Sequence, residues 1–285
     1  MHTFYKIGLC LLPVMVLLSA MRAGASDTLP ILLRLHYKHL YVPDTTNGNR
    51  QALREMMVLD ILKDSAVFYP KEMVEKELLA LANKDKIDAI YASGVVNYTD
   101  LLPYRYQGES ILQTKNTTTK EFWCTYLTVK TFQYKEENLE QKWSFVPDSI
   151  KTILGYTCYL ARTTFRGRTW EAWFTYDIPA TTGPWKFHGL PGAMVRVRDT
   201  RNHFLYELTG VEANLPFLFD ISLLTSQPEK CKKISAAEMQ NLFKLLFEDI
   251  RTFNRTILNL HVDNPNPVKE PPRYYNPMEF FDKQQ

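Results

Sequence analysis

Residues 151–212 read KTILGYTCYLARTTFRGRTWEAWFTYDIPATTGPWKFHGLPGAMVRVRDTRNHFLYELTGVE. The signals here are dominantly β, and they predict strands over 153–164, 168–176, 193–199 and 204–212. Two of the links are short: Arg166-Gly167, and Thr200-Arg201-Asn202-His203. Short links join antiparallel neighbours, because a parallel crossover needs a dozen residues or more. The stretch therefore predicts an antiparallel meander, and with it a mainly β, α+β fold.

Working outward, strands are also expected over 121–134 and 142–146. Residues 31–42 place Leu33, Leu35, Tyr37, His39 and Tyr41 on one face of a strand by the two-residue period. A turn cluster around Asn47-Gly48 follows, and residues 52–69 return as strands broken near Lys63-Asp64-Ser65. A helix is predicted over 71–83, behind Pro70. A second is predicted over 235–254, where Ser235 and Glu238 have capping-box spacing. Residues 84–118 read as a loop-rich excursion. Residues 264–285, rich in Pro and aromatics, are expected to run extended over the surface, since Tyr274, Tyr275, Phe280 and Phe281 gain from cover. No clear linker divides 26–263, so a single domain is expected.

At the N-terminus, Lys6, the apolar run Ile7–Ala20 and Ala23-Gly24-Ala25 have the layout of a secretory signal peptide cleaved after Ala25. An exported, periplasmic or extracellular protein is expected, not membrane-spanning after cleavage. The chain has 34 basic and 31 acidic residues. Cleavage removes Lys6 and Arg22 and leaves it close to neutral, which argues against a nucleic-acid partner. In an oxidising compartment, Cys124, Cys158 and Cys231 predict one disulfide and one thiol, with the pairing open and Cys158 the favoured participant.

The 151–212 stretch carries, in order, Gly155-Tyr156-Thr157-Cys158, Ala172-Trp173-Phe174-Thr175, Ile178-Pro179, Gly183-Pro184 and Gly189-Leu190-Pro191-Gly192. With Ser65-Ala66-Val67-Phe68-Tyr69 and Tyr275-Asn276-Pro277-Met278-Glu279, this ordered set closely resembles the GLPGLI family of secreted or periplasmic bacterial proteins of the Bacteroidota type. Ala193-Met194 stands where the family name has Leu-Ile. Leu208 stands where many relatives carry a cysteine or small residue, so a partner for Cys158 there is absent. The resemblance implies fold and location rather than an activity.

Two readings of the loop stay open. Trp173, Tyr176, Trp185, Phe187, His188 and Leu190 would form a rigid ligand-binding platform held by Gly183, Pro184, Gly189, Pro191 and Gly192. Alternatively, Trp173, Trp185 and Phe187 are one aromatic cluster plugging the sheet, which is the favoured reading. Arg162, Arg166 and Arg168, with Lys151 and Lys186, make either a basic edge for an anion or a solvated strand edge. No nucleophile elbow, HExxH helix, phosphate loop or dinucleotide fingerprint is present, and no metal or cofactor is expected. The functional expectation is an exported, non-catalytic binding or envelope-associated protein. Its partner would be a peptide, a lipid or an outer-membrane transporter. The alternative is a hydrolase with a site near the Gly-Leu-Pro-Gly loop.

Overall fold

The computed structural model describes residues 30–45, 52–93, 98–104, 106, 111–126, 131–137, 139–215, 231–257 and 276–278. The predicted signal segment, the turn at Asn47-Gly48 and most of the C-terminal tail lie outside them. The described strands are β1 (Ile31–Tyr41), β2 (Leu53–Ile61), β3 (Ser65–Pro70), β4 (Ile111–Asn116), β5 (Phe122–Tyr126), β6 (Phe132–Lys135), β7 (Ser144–Ile153), β8 (Tyr156–Phe165), β9 (Arg168–Thr175), β10 (Ala193–Asp199), β11 (Phe204–Leu215) and β12 (Lys232–Lys233). They form one open sheet in the order β12-β6-β5-β4-β3-β2-β1-β11-β10-β9-β8-β7. All pairings are antiparallel except β12 on β6. The fold is thus two meanders joined where β1 pairs with β11, as the short links require.

Hairpin geometry explains much of the register. Leu154 and Gly155 both have positive φ (52° and 83°), as do Arg166 and Gly167 (51° and 73°). Consecutive left-handed residues make tight two-residue turns whose twist suits the flanking strands. The first turn shows that the predicted strands 142–146 and 153–164 are cut in the wrong place. β7 runs to Ile153 and β8 starts at Tyr156. The physical reason is that a leucine at positive φ carries no turn signal in the sequence. Likewise, the predicted strand 121–134 is the hairpin β5–β6.

Residues 84–118, expected to be loop-rich, contain helix α2 (Lys84–Ala92), the short α3 (Tyr98–Leu101), a 3₁₀ turn and the interior strand β4. α2 buries Ile87, with Ile90 and Tyr91 packed nearby. That i, i+3, i+4 spacing is a legible though short signal. Helix α1 (Lys71–Ala82) starts behind Pro70 as expected and buries Met73, Val74 and Ala80. The predicted helix 235–254 is two helices, α4 (Ala236–Glu248) and α5 (Ile250–Ile257). Ser235 caps α4: its Oγ accepts from Glu238 N–H at 3.2 Å, and Ser235 N–H donates to Glu238 Oε2 at 2.7 Å. The break falls at Asp249, whose extended φ of −146° ends α4 and whose Oδ1 accepts from Thr252 N–H at 3.0 Å. Among the described residues, no helix is long and apolar enough to cross a membrane.

The main core lies on one face of the β1–β3 and β8–β11 strands. Leu35, Tyr37, Met57, Leu59, Phe68, Trp170, Phe174, Val197, Tyr206 and Leu208 are buried there. The loop from Ile178 to Gly192 lies over this face and contributes Trp185, Phe187 and Leu190 to it.

Candidate functional site

The loop from Ile178 to Gly192 is a small folded unit. Thr182 and His188 form an isolated antiparallel bridge. Inside it, Gly183 N–H donates to Phe187 O at 2.8 Å and Phe187 N–H to Pro184 O at 3.1 Å. Gly189 N–H donates to Thr181 O at 3.0 Å. Gly189 has φ +91°, where a side chain is strained. Gly192 is required for a different reason: a Cβ there would lie 1.9 Å from the carbonyl oxygen of Thr175. A Cβ at Gly183 would meet Met194 Sδ, so the Met194 side chain would have to shift. Pro184 and Leu190 are buried and Pro191 is exposed.

Trp185, Phe187 and Leu190 point into the core, with Phe187 and Leu190 only 1% exposed. Trp185 and Phe187 lie 5.0 Å apart, ring to ring, and both meet Phe165 and Trp170. The expected cluster of Trp185, Phe187 and Trp173 is therefore corrected: the tryptophan that joins the loop is Trp170. Strand alternation is the reason. On β9, Trp170, Ala172 and Phe174 face the loop, so Glu171 and Trp173 face away.

A buried ionic knot locks the loop. Lys186, 1% exposed, donates from Nζ to Glu136 Oε1 and to Tyr134 Oη. Arg166 Nη2 donates to Glu136 Oε2 at 2.8 Å. Burying charges is tolerable only when they are paired and hydrogen-bonded, as here. Gln141 Nε2 and Trp143 Nε1 donate to the carbonyls of Lys186 and His188, each at 2.8 Å. Two of the five cations expected to form a basic edge, Lys186 and Arg166, are thus consumed by this knot.

A third, Arg168, is consumed by another. It is 4% exposed and donates to Asp199 Oδ2 at 3.0 Å. Its other nitrogens reach Asn276 Oδ1 at 2.7 Å and the carbonyls of Pro277 and Met278. Asn276 in turn donates to the carbonyls of Val42 and Pro43. The described part of the tail is therefore strapped to the domain by the buried guanidinium and by Asn276.

The possible catalytic groups do not meet. Cys158 is buried, and burial pushes its thiol pKa up, away from a reactive thiolate. It is a thiol whose Sγ donates to Tyr156 O at 3.5 Å, so the bridge expected to involve it is not formed. Asp177 contacts Thr175 Oγ1, Glu171 is held by Arg162 and Arg198, and Asp199 by Arg168. His188 contacts Gln141 and the Lys186 carbonyl, and burial lowers its pKa. His36 bonds Glu212 at 2.5 Å, while His39 is buried between the rings of Tyr41 and Tyr206. Among the described residues, no cluster of three His, Cys, Asp or Glu side chains could hold a metal.

The most exposed large hydrophobics of the described residues lie at the β7 end of the sheet. Among the described residues β7 is an edge strand, bulged between Phe145 and Ile150. Phe145 and Ile150 stand opposite Ala161 and Tyr159, on the same face as the loop but beyond its cover. Phe145, Ile150, Leu154 and Tyr176 are each more than half exposed. Tyr176 lies 5.3 Å from both Tyr159 and Phe174, and Phe145 lies 5.7 Å from Phe174. The core thus continues outward as an aromatic ledge. Of the residues singled out in the sequence, only Tyr176 belongs to it. On the opposite face, Trp173 is half-buried, and Lys151 Nζ sits 3.8 Å from its ring centroid.

A family model described as a protein of unknown function (Porph_ging), Bacteroidota-associated, matches residues 162–196. That segment spans the end of β8, all of β9, the locked loop and the start of β10. No curated protein matches the chain. Two solved structures of PNGF-II, in space groups P21 and C2, align with 73% of this chain at 14% and 13% identity, with TM-scores of 0.49 and 0.50. The chain spans 32% of the length of those proteins. At such identity the likeness concerns the fold alone.

Proposed function

We propose that the protein is an exported, non-catalytic binding protein of the cell envelope, a member of the GLPGLI family, that captures an extended peptide segment of an envelope partner at β7. The observation that carries this is the ledge of Phe145, Ile150, Leu154 and Tyr176 beside an edge strand. Exposed aromatics contiguous with a core favour an apolar partner. An unpaired strand edge supplies the backbone groups that an added strand needs. Pro147 and the bulge limit which part of the edge can pair, leaving Ile150–Ile153 as the regular stretch. The scatter of Cys158, Asp177, Glu171, His188 and Asp199 to separate partners favours binding over hydrolysis. The ordered motif set, with its middle inside the family-matched segment, supports the assignment to GLPGLI.

The test is photocrosslinking in the exporting cell from a reactive residue placed at Ile150 or Tyr176. One defined envelope protein should be captured from both positions, and Tyr176→Ala should reduce the yield without lowering the melting temperature. Uniform, non-specific labelling would defeat the reading. Turnover of a peptide or ester substrate that is abolished by His188→Ala would move the protein to the hydrolase class.

A further inference from the structure

Turning the β7–β10 strands over exposes a strip of charge built by cross-strand register. Arg196 stands opposite Trp173 and Glu207, and Glu207 opposite Lys38. In the next row, Arg162 stands opposite Glu171 and Glu171 opposite Arg198. With Lys151, five cations share this face with two carboxylates. Both carboxylates are already divided. Glu171 accepts from Arg162 at 2.7 Å and Arg198 at 2.8 Å; Glu207 holds Lys38 at 2.8 Å and Arg196 Nε at 3.4 Å.

Two cations are left under-used. Lys151 has no carboxylate partner among the described residues, and its ammonium rests on the Trp173 ring. Arg196 touches Glu207 only through Nε, at a length too great for a good hydrogen bond, and its two terminal nitrogens have no partner among the described residues. Burial, and then the nearby charges of Arg196 and Arg198, lower the Lys151 pKa. Beside Arg196 and Arg198 lies a cleft of about 130 Å³ with Leu40, Val42 and Leu205 on its wall.

We propose that this face binds a phosphate-class anion, held by the Lys151 ammonium and the open fork of Arg196 beside Trp173. A guanidinium fork and an ammonium together match a tetrahedral oxyanion: the fork gives two parallel donors and the ammonium a point charge. The anion also relieves the surplus positive charge that the two shared carboxylates leave uncompensated. The phosphate can be free or a lipid headgroup, and the cleft offers the apolar wall a headgroup's chain would use. This site is independent of the peptide ledge, which lies on the other face.

The experiment titrates the whole protein with inorganic pyrophosphate by calorimetry. It then measures cosedimentation with phosphatidylglycerol vesicles against pure phosphatidylcholine vesicles. Pyrophosphate should bind with unit stoichiometry, and Lys151→Met and Arg196→Leu should each weaken it at least tenfold. Arg201→Met, on the exposed β10–β11 turn, and Tyr176→Ala, on the ledge, should leave it unchanged. Binding of phosphatidylglycerol vesicles that pyrophosphate displaces assigns the site to a headgroup; pyrophosphate binding without vesicle binding assigns it to a free phosphate. The proposal is overturned if neither probe binds, or if Arg201→Met weakens binding as much as Arg196→Leu.

Discussion

Arg162 and Arg168 belong to one hairpin and lie on opposite faces of it. Arg162 is half-exposed and shares Glu171 with Arg198. Arg168 is buried, and beyond its Asp199 partner it satisfies three tail groups. The same contrast runs through all of β9, where Trp170 is a core residue and Trp173 carries a cation on its ring. One strand therefore serves two environments. The face under the loop is dry, so an unpaired charge there would be costly. The other face is solvated, and its charges are available for recognition. The difference predicts that equivalent substitutions on the two faces separate by several-fold in stability.

The largest effect is expected under the loop. Trp185→Ala removes a ring packed on Phe165, Trp170 and Phe187, and should cost roughly 3–5 kcal/mol, the range for buried aromatics. Glu136→Gln should be of similar size, about 3–5 kcal/mol, because Lys186 and Arg166 then lose the carboxylate that compensates them. Denaturant unfolding measures both. A midpoint unchanged for Trp185→Ala would show that the loop is not part of the core and would restore the ligand-platform reading of Trp185 and Phe187.

Much of the fold was legible because sheet strands advertise their period. The limits of β9, β10 and the start of β11 fall within a residue of the pattern, and the capping box at Ser235 is as expected. The site was less legible. Alternation counted from Trp170 would have shown that Trp173 cannot share a face with it, and that signal was available. By contrast, nothing near Lys186 announces its burial, because its partner Glu136 is 50 residues away and is brought in by tertiary packing. The same holds for Arg168 and Asn276, 108 residues apart. Local pattern reports which way a side chain points, not which distant charge it will meet.

Of similar size is the strap. Arg168→Met should cost about 3–5 kcal/mol, since Asp199 is left buried without its cation. It should also release residues 276–278, which limited proteolysis reads as faster trimming of the C-terminus. If proteolysis is unchanged while stability falls, the tail is held by Asn276 on the β1 end rather than by the guanidinium.

The dry face should also give the protein an acid limit. Burial holds His39 at a pKa of about 3, well below the ordinary histidine value of 6.5. The unfolded chain therefore binds the proton more readily between those two values. Stability from this group is fully present above about pH 6.5 and is lost as pH falls toward 3, by on the order of a few kcal/mol. His188, also lowered by burial, acts in the same direction. His39→Phe should flatten the profile across that window, and melts between pH 7 and pH 4 test it. A wild-type profile already flat from pH 7 to 4 would mean that His39 is reached by water or by a partner for Nε2.

The smallest effect belongs to the solvated face, where the comparison is sharpest. Arg162→Ala should change stability by about 1 kcal/mol or less, since exposed ion pairs contribute little and Glu171 keeps Arg198. Set against Arg168→Met, this compares two arginines of one hairpin with a carboxylate partner each. The two differ in burial and in the three tail groups that only Arg168 satisfies, so the gap between the two costs measures what burial and the strap together add to an ion pair. Salt separates the cases further. Raising ionic strength should erase the Arg162 effect, because a Debye length of about 8 Å at 0.15 M shrinks to about 3 Å at 1 M, and leave the Arg168 effect standing. If Arg162→Ala proves as costly as Arg168→Met in both salts, the outer strip is a structural ladder rather than a surface held open for an anion.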